Sequence, residues 1–167
     1  MRRFLALTSA AALSLFCAAC GSDDTDDTDD GQLKNARANV TGTHPVLMTL
    51  SVSGVSETPE PSATNLILTE AANSDRLNVD LLFFDCDLTA TMTGETTFTV
   101  SPGSCVFPLP EEVEMDCDIS FEITGGTGGK ASKDAKVGAT LNGNYKMTCP
   151  ELGAPVSVPM TILLVGT

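Results

Sequence analysis

Two Asp-Cys-Asp motifs place four carboxylates where they would serve as metal ligands. The carboxylates belong to Asp85, Asp87, Asp116 and Asp118. Because both motifs lie in stretches of alternating polar and apolar residues, the two acids of each motif share one face of a strand. If the two strands were neighbours in register, the four groups would form a cluster of the hard oxygen ligands that Ca²⁺ prefers. The alternative, which we favour, is two solvated acidic faces, so we expect no metal and no other cofactor.

This chain contains few residues that could act as catalytic groups. His44 is the single histidine, and Pro45 follows it at the start of a predicted strand. Ser–His and Cys–His mechanisms need an imidazole as general base, and no GxSxG nucleophile motif accompanies this one. The run GGTGGK at residues 125–130 lacks the first glycine and the Ser or Thr of a phosphate-binding loop. We therefore interpret residues 125–134 as a hairpin loop and expect no enzymatic activity.

The N-terminal segment ends in a cysteine placed for lipid attachment. Two arginines precede an apolar stretch at residues 4–16, which is too short to span a bilayer, and two alanines then lead to Cys20. The segment resembles the signal peptides of bacterial lipoproteins, whose lipobox ends in small residues followed by the lipidated cysteine. Cys17 departs from that pattern, which usually has an aliphatic residue at this position.

This resemblance implies how the chain is processed and where it resides. Signal peptidase II would remove residues 1–19, after which Cys20 would carry a diacylglycerol and an acylated amino group. Gly21 follows in place of the aspartate that retains lipoproteins in the inner membrane, which implies the outer membrane of a double-membraned bacterium. Either face of that membrane is compatible with the sequence. The alternative is ordinary secretion after cleavage near Ala19, which would leave Cys20 as a plain thiol.

The charge of the chain is strongly negative. Acidic residues outnumber basic ones by 22 to 9, for a net charge of −13, and a chain this acidic is not expected to bind nucleic acid. Removing residues 1–19 takes away two arginines and no acid, so the net charge becomes −15. Six aspartates lie within residues 23–30, and their mutual repulsion favours an extended chain. We therefore predict an acidic flexible tether over residues 20–39.

The remaining four cysteines are expected to form disulfides. They are Cys86, Cys105, Cys117 and Cys149. An even number of cysteines in an exported chain predicts disulfides, and the absence of a CxxC pair among these four argues against zinc. Three pairings are open. A chain reversal at residues 94–95 would bring Cys86 opposite residues 103–104, which favours Cys86–Cys105 and, by elimination, Cys117–Cys149.

From residue 40 onward, the hydrophobic pattern has the period of two that is typical of strands. The clearest stretches are residues 113–123 and 137–149, and further strands are expected at 46–52, 65–69, 96–100 and 156–165. Residues 77–83 and 84–93 alternate in opposite phase, which predicts a bulge or corner near residues 81–84. About eight strands and no helix predict a single all-β domain at residues 40–167, either an antiparallel β-sandwich or an up-and-down β-barrel.

These observations favour a binding protein over an enzyme. We expect a lipid-anchored β-domain of the cell envelope that acts as a structural or interaction module, with the membrane and another envelope protein as its partners. The alternative is a calycin-like β-barrel that carries a small apolar ligand, because a sandwich core and a barrel lumen have the same sequence pattern. A carrier requires an apolar cavity, whereas an interaction module requires an exposed apolar surface.

Overall fold

The structure, a computed structural model, describes residues 36–56, 60–108, 117–132, 134–150 and 153–167. Within these residues, a short 3₁₀ helix (Arg37–Asn39) precedes nine strands. The strands are β1 (Gly42–Val52), β2 (Ser62–Glu70), β3 (Arg76–Leu81), β4 (Asp85–Met92), β5 (Thr97–Val100), β6 (Gly103–Val106), β7 (Asp118–Gly129), β8 (Gly138–Thr148) and β9 (Val156–Gly166).

The strands form a closed up-and-down barrel. Apart from β5 and β6, which do not pair with each other, each strand pairs antiparallel with the next along the chain, and β9 returns to pair with β1. Strands β5 and β6 occupy one position between β4 and β7, so the nine segments make an eight-stranded barrel. Of the two predicted architectures, the barrel is therefore the one present. The predicted strand at residues 113–123 begins at Asp118, and its first residues, 113–116, lie outside the described residues.

A bulge separates β5 from β6. The β4–β5 ladder pairs Ala90 with Val100, whereas the β4–β6 ladder pairs Cys86 with Cys105, which is a shift of one residue. The amide of Ser101 still donates to the Thr89 carbonyl oxygen at 2.8 Å. One extra residue on a strand bends it and increases its local twist, which helps a sheet to close.

The strands are strongly tilted around the barrel. A path perpendicular to the strands starts at Gly42 and returns to β1 at Val52, ten residues further along. The path passes through Leu68, Val79, Leu88, Gly103, Ile123, Gly143 and Met160, and its step from Leu88 to Gly103 extends the β4–β6 register by one residue. An eight-stranded barrel with this stagger has an interior just wide enough for side chains to fill or for one small ligand.

Apolar side chains fill this interior, as the alternating pattern predicted. Twenty-two buried apolar residues of the described chain form one cluster, with Phe98, Leu66, Leu141 and Ile162 among those that are almost fully buried. The predicted corner between the two opposite phases is confirmed as the turn at residues 82–84, where β3 reverses into β4.

The glycine-rich run is part of a strand, so the hairpin loop predicted for residues 125–134 was wrong. Residues 125–129 continue β7 and pair with β8, and the reversal begins only at Lys130. Gly128 lies opposite Phe98 on β5, and a Cβ atom added to Gly128 would overlap the Phe98 ring. The glycines therefore make room for a large side chain inside the barrel.

Two prolines mark the ends of the β1–β9 ladder, the pairing that closes the barrel. This ladder runs from Val46–Gly166 to Val52–Met160. Just beyond it, the carbonyl oxygens of Pro45 and Pro159 accept hydrogen bonds from the amides of Thr167 and Ser53. Neither proline has an N–H to donate in return, so each can occupy only a position where the ladder ends.

The 3₁₀ helix covers one end of the barrel, which we call the helix end. Arg37 is only 5% exposed. Its Nη1 donates to the carbonyl oxygens of Ala71, Asn73 and Arg76 at 2.9–3.2 Å, and its Nη2 lies 3.1 Å from a carboxylate oxygen of Glu70. The predicted tether at residues 20–39 is therefore too long, because these contacts make residues 36–39 part of the fold. Residues 20–35 lie outside the described residues.

The opposite end, which we call the far end, carries the remaining connections. Their described residues are 53–56, 60–61, 82–84, 107–108, 117, 149–150 and 153–155. The described chain enters and leaves the barrel at the helix end, where Ala36 and Thr167 lie beside the ends of β1 and β9. The two ends therefore differ in their relation to the rest of the chain.

Candidate functional site

The Asp-Cys-Asp motifs are not neighbours, so the arrangement required for the calcium hypothesis is wrong. Asp85 and Asp87 lie on β4, Asp118 lies on β7, and β6 runs between these strands. Ser104 and Val106 of β6 are the residues that pair with the two β4 aspartates. Asp116 lies outside the described residues. Within the described part of the chain, no three His, Cys, Asp or Glu residues are grouped to hold a metal ion.

Both predicted disulfides are confirmed. Cys86 bonds to Cys105, its direct partner across the β4–β6 ladder. Cys117 bonds to Cys149, just beyond the last pair of the β7–β8 ladder at the far end. Cys105 is fully buried. The four thiols therefore stabilise the barrel wall, and none of them is available as a nucleophile in this state.

His44 has a structural partner at the helix end. Its Nε2 lies 2.7 Å from the carbonyl oxygen of Val40, a fully buried residue that follows the 3₁₀ helix. The contact joins the start of β1 to the segment that covers the barrel. This position is consistent with the strand-edge role predicted for the imidazole.

A cleft of about 420 Å³ lies at the far end. Its lining residues come from β1, from the start of β2, from the β3–β4 turn and from the chain after β6. They are Met48, Ser62, Ala63, Thr64, Phe83, Phe84, Phe107 and Pro108. The Thr64 hydroxyl already donates to the Leu82 carbonyl oxygen at 3.1 Å. The cleft therefore offers a mainly apolar surface within the size range of ligand sites.

Aromatic rings connect this cleft to the barrel interior. The centroid of the Phe84 ring lies 5.5 Å from that of Phe107 and 5.4 Å from that of Phe121. The Phe121 ring in turn lies 6.0 Å from Tyr145, and all three pairs are tilted. Distances and tilts of this kind are favourable for aromatic pairs. The floor of the cleft is therefore a packed aromatic group and not an empty lumen.

Phe83 lies at the edge of the cleft in an unusual backbone conformation. Its φ is +75°, and it is the one described non-glycine residue with a positive φ. The amide of Phe84 donates to the Leu81 carbonyl oxygen at 3.0 Å, which places Phe83 at the third position of a four-residue turn. Glycine or asparagine normally occupies that position when φ is positive. The Phe83 side chain is nonetheless 67% exposed, so packing does not explain the choice of phenylalanine.

Charge is distributed unevenly between the two ends. Six described carboxylates lie at the far end, and they belong to Glu60, Asp80, Asp85, Asp87, Asp118 and Glu122. Lys146 is the single described basic residue there, and its Nζ lies 2.7 Å from a Glu122 carboxylate oxygen. At the helix end, four described acids accompany four described bases. The far end is therefore the negative end of the barrel.

A second exposed apolar surface lies on the outer wall. Leu47 of β1 and Leu163 and Val165 of β9 point outward and are partly exposed, and Leu47 pairs directly with Val165. A shallow groove of about 610 Å³, lined mostly by threonines and glycines, follows this wall towards β5. These side chains are scattered among polar neighbours, which is normal for a protein surface.

Reasoning from the sequence did not identify the far-end cleft. Its only sequence signal was the reversal of phase at residues 81–84, which marked a turn but not an exposed ring. Met48, Phe84 and Phe107 come from segments far apart in the sequence, and only closure of the barrel brings them together. Cys20, the predicted lipidation site, lies outside the described residues.

Comparison with protein-family models, with curated proteins and with solved structures finds no match to this chain. The described residues contain no helix that is both long and apolar enough to cross a membrane.

Proposed function

We propose that this protein is a lipid-anchored, non-enzymatic binding module of the cell envelope, and that it binds another envelope protein at its far end. The observation that carries the proposal is the apolar cleft beside Phe83, whose side chain is exposed and whose backbone has a positive φ. A bulky residue with a positive φ costs stability, and such outliers persist mainly at functional sites. Exposed aromatic residues are also typical anchors of protein interfaces.

The position of the anchor supports this assignment. A lipid on Cys20 would attach through residues 21–35 to Ala36, which is buried at the helix end. Such an attachment would tether the barrel by its helix end and leave the far end free to face away from the membrane. Anionic headgroups would also repel the carboxylates of the far end. We place the protein at the outer membrane and leave open which face displays the barrel.

The chemistry of the described residues supports a non-enzymatic role. The four cysteines of the barrel form disulfides, and the His44 ring contacts the Val40 carbonyl oxygen. A nucleophilic mechanism would need a hydroxyl or thiol beside that imidazole. The described contacts of His44 include neither group.

Site-specific photocrosslinking in cells of the native host tests the binding proposal. A photoreactive amino acid at position 82 is expected to give discrete adducts with an envelope protein, whereas the same amino acid at position 163 on the outer wall is not. Both positions hold a partly exposed leucine, so they are matched in residue type and exposure. Adducts from position 163 alone, or from neither position, would contradict a far-end binding site.

The anchor is tested separately. Cys20→Ala is expected to move the protein from the membrane fraction to the soluble fraction, because a lipidated cysteine supplies the membrane affinity. Cys17→Leu is the control, because it removes the other N-terminal cysteine and supplies the aliphatic residue that the lipobox usually has. Mass spectrometry shows whether residues 1–19 have been removed, and a Cys20→Ala protein that lacks them but stays in the membrane fraction would rule out this anchor.

A second candidate function is the calycin-like carriage of a small apolar ligand. The volume of the cleft, about 420 Å³, favours it, because this volume suits a small molecule. The filled core favours the interaction module instead, because a ligand would have to bind at the mouth of the barrel. Titration with the apolar dye 1-N-phenylnaphthylamine separates them: a carrier would bind one dye per barrel, and a natural lipid ligand would displace it.

A further inference from the structure

We propose that the partner contributes a basic peptide segment, in which Lys or Arg residues flank one large apolar side chain that enters the far-end cleft. This inference rests on the proposed function, and it adds the chemical class of the partner. It follows from three features of the far end: the lining of the cleft, the surrounding charge and the absence of a strand edge.

The lining of the cleft selects an apolar side chain. Met48, Phe84, Phe107 and Pro108 are among its lining residues, and the lining as a whole is mainly apolar. The hydroxyl of Thr64 is already engaged with the Leu82 carbonyl oxygen. A charged or amide group placed here would lose its water without gaining strong hydrogen bonds, which is unfavourable. A large aliphatic or aromatic side chain instead gains free energy in proportion to the apolar area that it buries.

The surrounding charge selects basic flanking residues. Asp85 directly follows Phe84 and lies in an exposed position, as does Asp87, and Glu60 precedes the first cleft residue of β2. The described basic residue at this end, Lys146, already contacts Glu122. The negative potential of the other carboxylates therefore attracts Lys and Arg, and it repels acidic peptides and anionic lipid surfaces.

Closure of the barrel excludes the commonest way of binding an extended peptide. β-Augmentation needs the unpaired edge of a sheet, whereas every described strand of this barrel has a neighbour on both sides. A partner that contacts the described far end must therefore bind mainly through side chains. This requirement makes the side chain in the cleft, and not the peptide backbone, the main source of affinity.

Selection from a random peptide library tests the proposal directly. The full chain, purified in detergent micelles, is the target, and phage-displayed linear peptides of random sequence are the probes. We expect the enriched peptides to share one large apolar residue flanked by at least two Lys or Arg residues. Phe83→Asn should weaken their binding by about tenfold or more, as expected for the loss of an aromatic anchor. Asparagine tolerates a positive φ, so this variant is expected to fold.

Matched charge variants test the electrostatic part. Asp85→Asn with Asp87→Asn removes two far-end charges, and Glu95→Gln with Asp134→Asn removes two from the helix end. We expect the first pair to weaken peptide binding by about threefold to tenfold at low salt and the second pair to change it by less than about twofold. Raising the salt concentration should reduce the effect of the first pair.

The possible outcomes distinguish a failure of the basic partner class from a failure of the far-end binding site. Enriched peptides that are neutral or acidic but lose binding in Phe83→Asn would overturn the basic partner class and leave the far-end site intact. Enrichment that is unaffected by Phe83→Asn, or no enrichment at all, would overturn both. Basic peptides with one large apolar residue that lose binding in Phe83→Asn and in Asp85→Asn with Asp87→Asn would support both the far-end site and the basic partner class.

Discussion

At the scale of single residues, Phe83 combines two features that each oppose folding. Its ring is mostly exposed, and its backbone has a positive φ at a turn position suited to glycine or asparagine. We expect Phe83→Asn to raise the free energy of unfolding by about 1 kcal/mol, because the turn loses strain and the core loses nothing. Urea denaturation measures the change. Leu82→Asn at the preceding turn residue is the control, and a clear loss of stability in Phe83→Asn would show that the ring is structural.

Arg37 differs from Phe83, because its side chain is buried and its guanidinium group is hydrogen-bonded. Three backbone carbonyl oxygens and Glu70 surround its guanidinium group. Arg37→Ala should lower the free energy of unfolding by about 2–4 kcal/mol, because it leaves several of these acceptors without a charged donor. Arg76→Ala, which truncates an exposed arginine beside the same turn, should cost less than about 0.5 kcal/mol. Equal effects in the two variants would contradict a structural role for the buried group.

At the scale of strands, the glycines of β7 determine how Phe98 fits into the barrel. Gly128 lies opposite Phe98, and an added Cβ would overlap the ring. We expect Gly128→Ala to destabilise the protein by about 1–3 kcal/mol through overpacking. Thr127→Ala, one residue earlier with its side chain in solvent, should have an effect within about 0.5 kcal/mol. Thermal denaturation compares them, and a Gly128→Ala protein as stable as the native one would contradict this packing.

The strands and disulfides could be predicted from the sequence because both depend on local patterns. The period of two located the strands, and the reversal at residues 94–95 brought Cys86 near Cys105. That folding placed Cys86 opposite residues 103–104, and the β5–β6 bulge supplies the remaining shift that makes Cys105 its partner. The bulge has no clear local signal, and the same is true of the glycine run. The conformation of the glycine run depends on Phe98, a residue of another strand.

At the scale of the whole molecule, the two ends of the barrel differ in their described charges and in their relation to the proposed lipid anchor. The far-end cleft could not be predicted because its residues meet only when the barrel closes. If Cys20 carries the proposed lipid, residues 20–35 would reach at most roughly 50 Å and would limit the distance of the helix end from the membrane. The negative charge of the far end then favours an outward orientation at an anionic bilayer.

Energy transfer to a dye in the bilayer tests this orientation. A donor dye is attached to an added cysteine at the helix end, Asp134→Cys, or at the far end, Ser104→Cys, in the lipidated protein on anionic vesicles. We expect higher transfer efficiency from position 134 than from position 104, and a smaller difference at high salt. Equal efficiencies at low salt would mean that the barrel has no preferred orientation.

The two prolines beside the β1–β9 ladder have a consequence for how the chain completes its fold. Strands β1 and β9 are the first and last to be synthesised, so their union is the step most exposed to misalignment. A register shift of two residues that lengthened the β1–β9 ladder would place both Pro45 and Pro159 within the ladder. Because proline has no N–H, the carbonyl oxygen opposite each proline on the partner strand would then lack a donor. A register shift in the opposite direction would shorten the ladder and lose residue pairs that the native register contains. The two prolines therefore disfavour a longer, shifted β1–β9 ladder. The native register is the longest one in which no hydrogen bond of this ladder is missing.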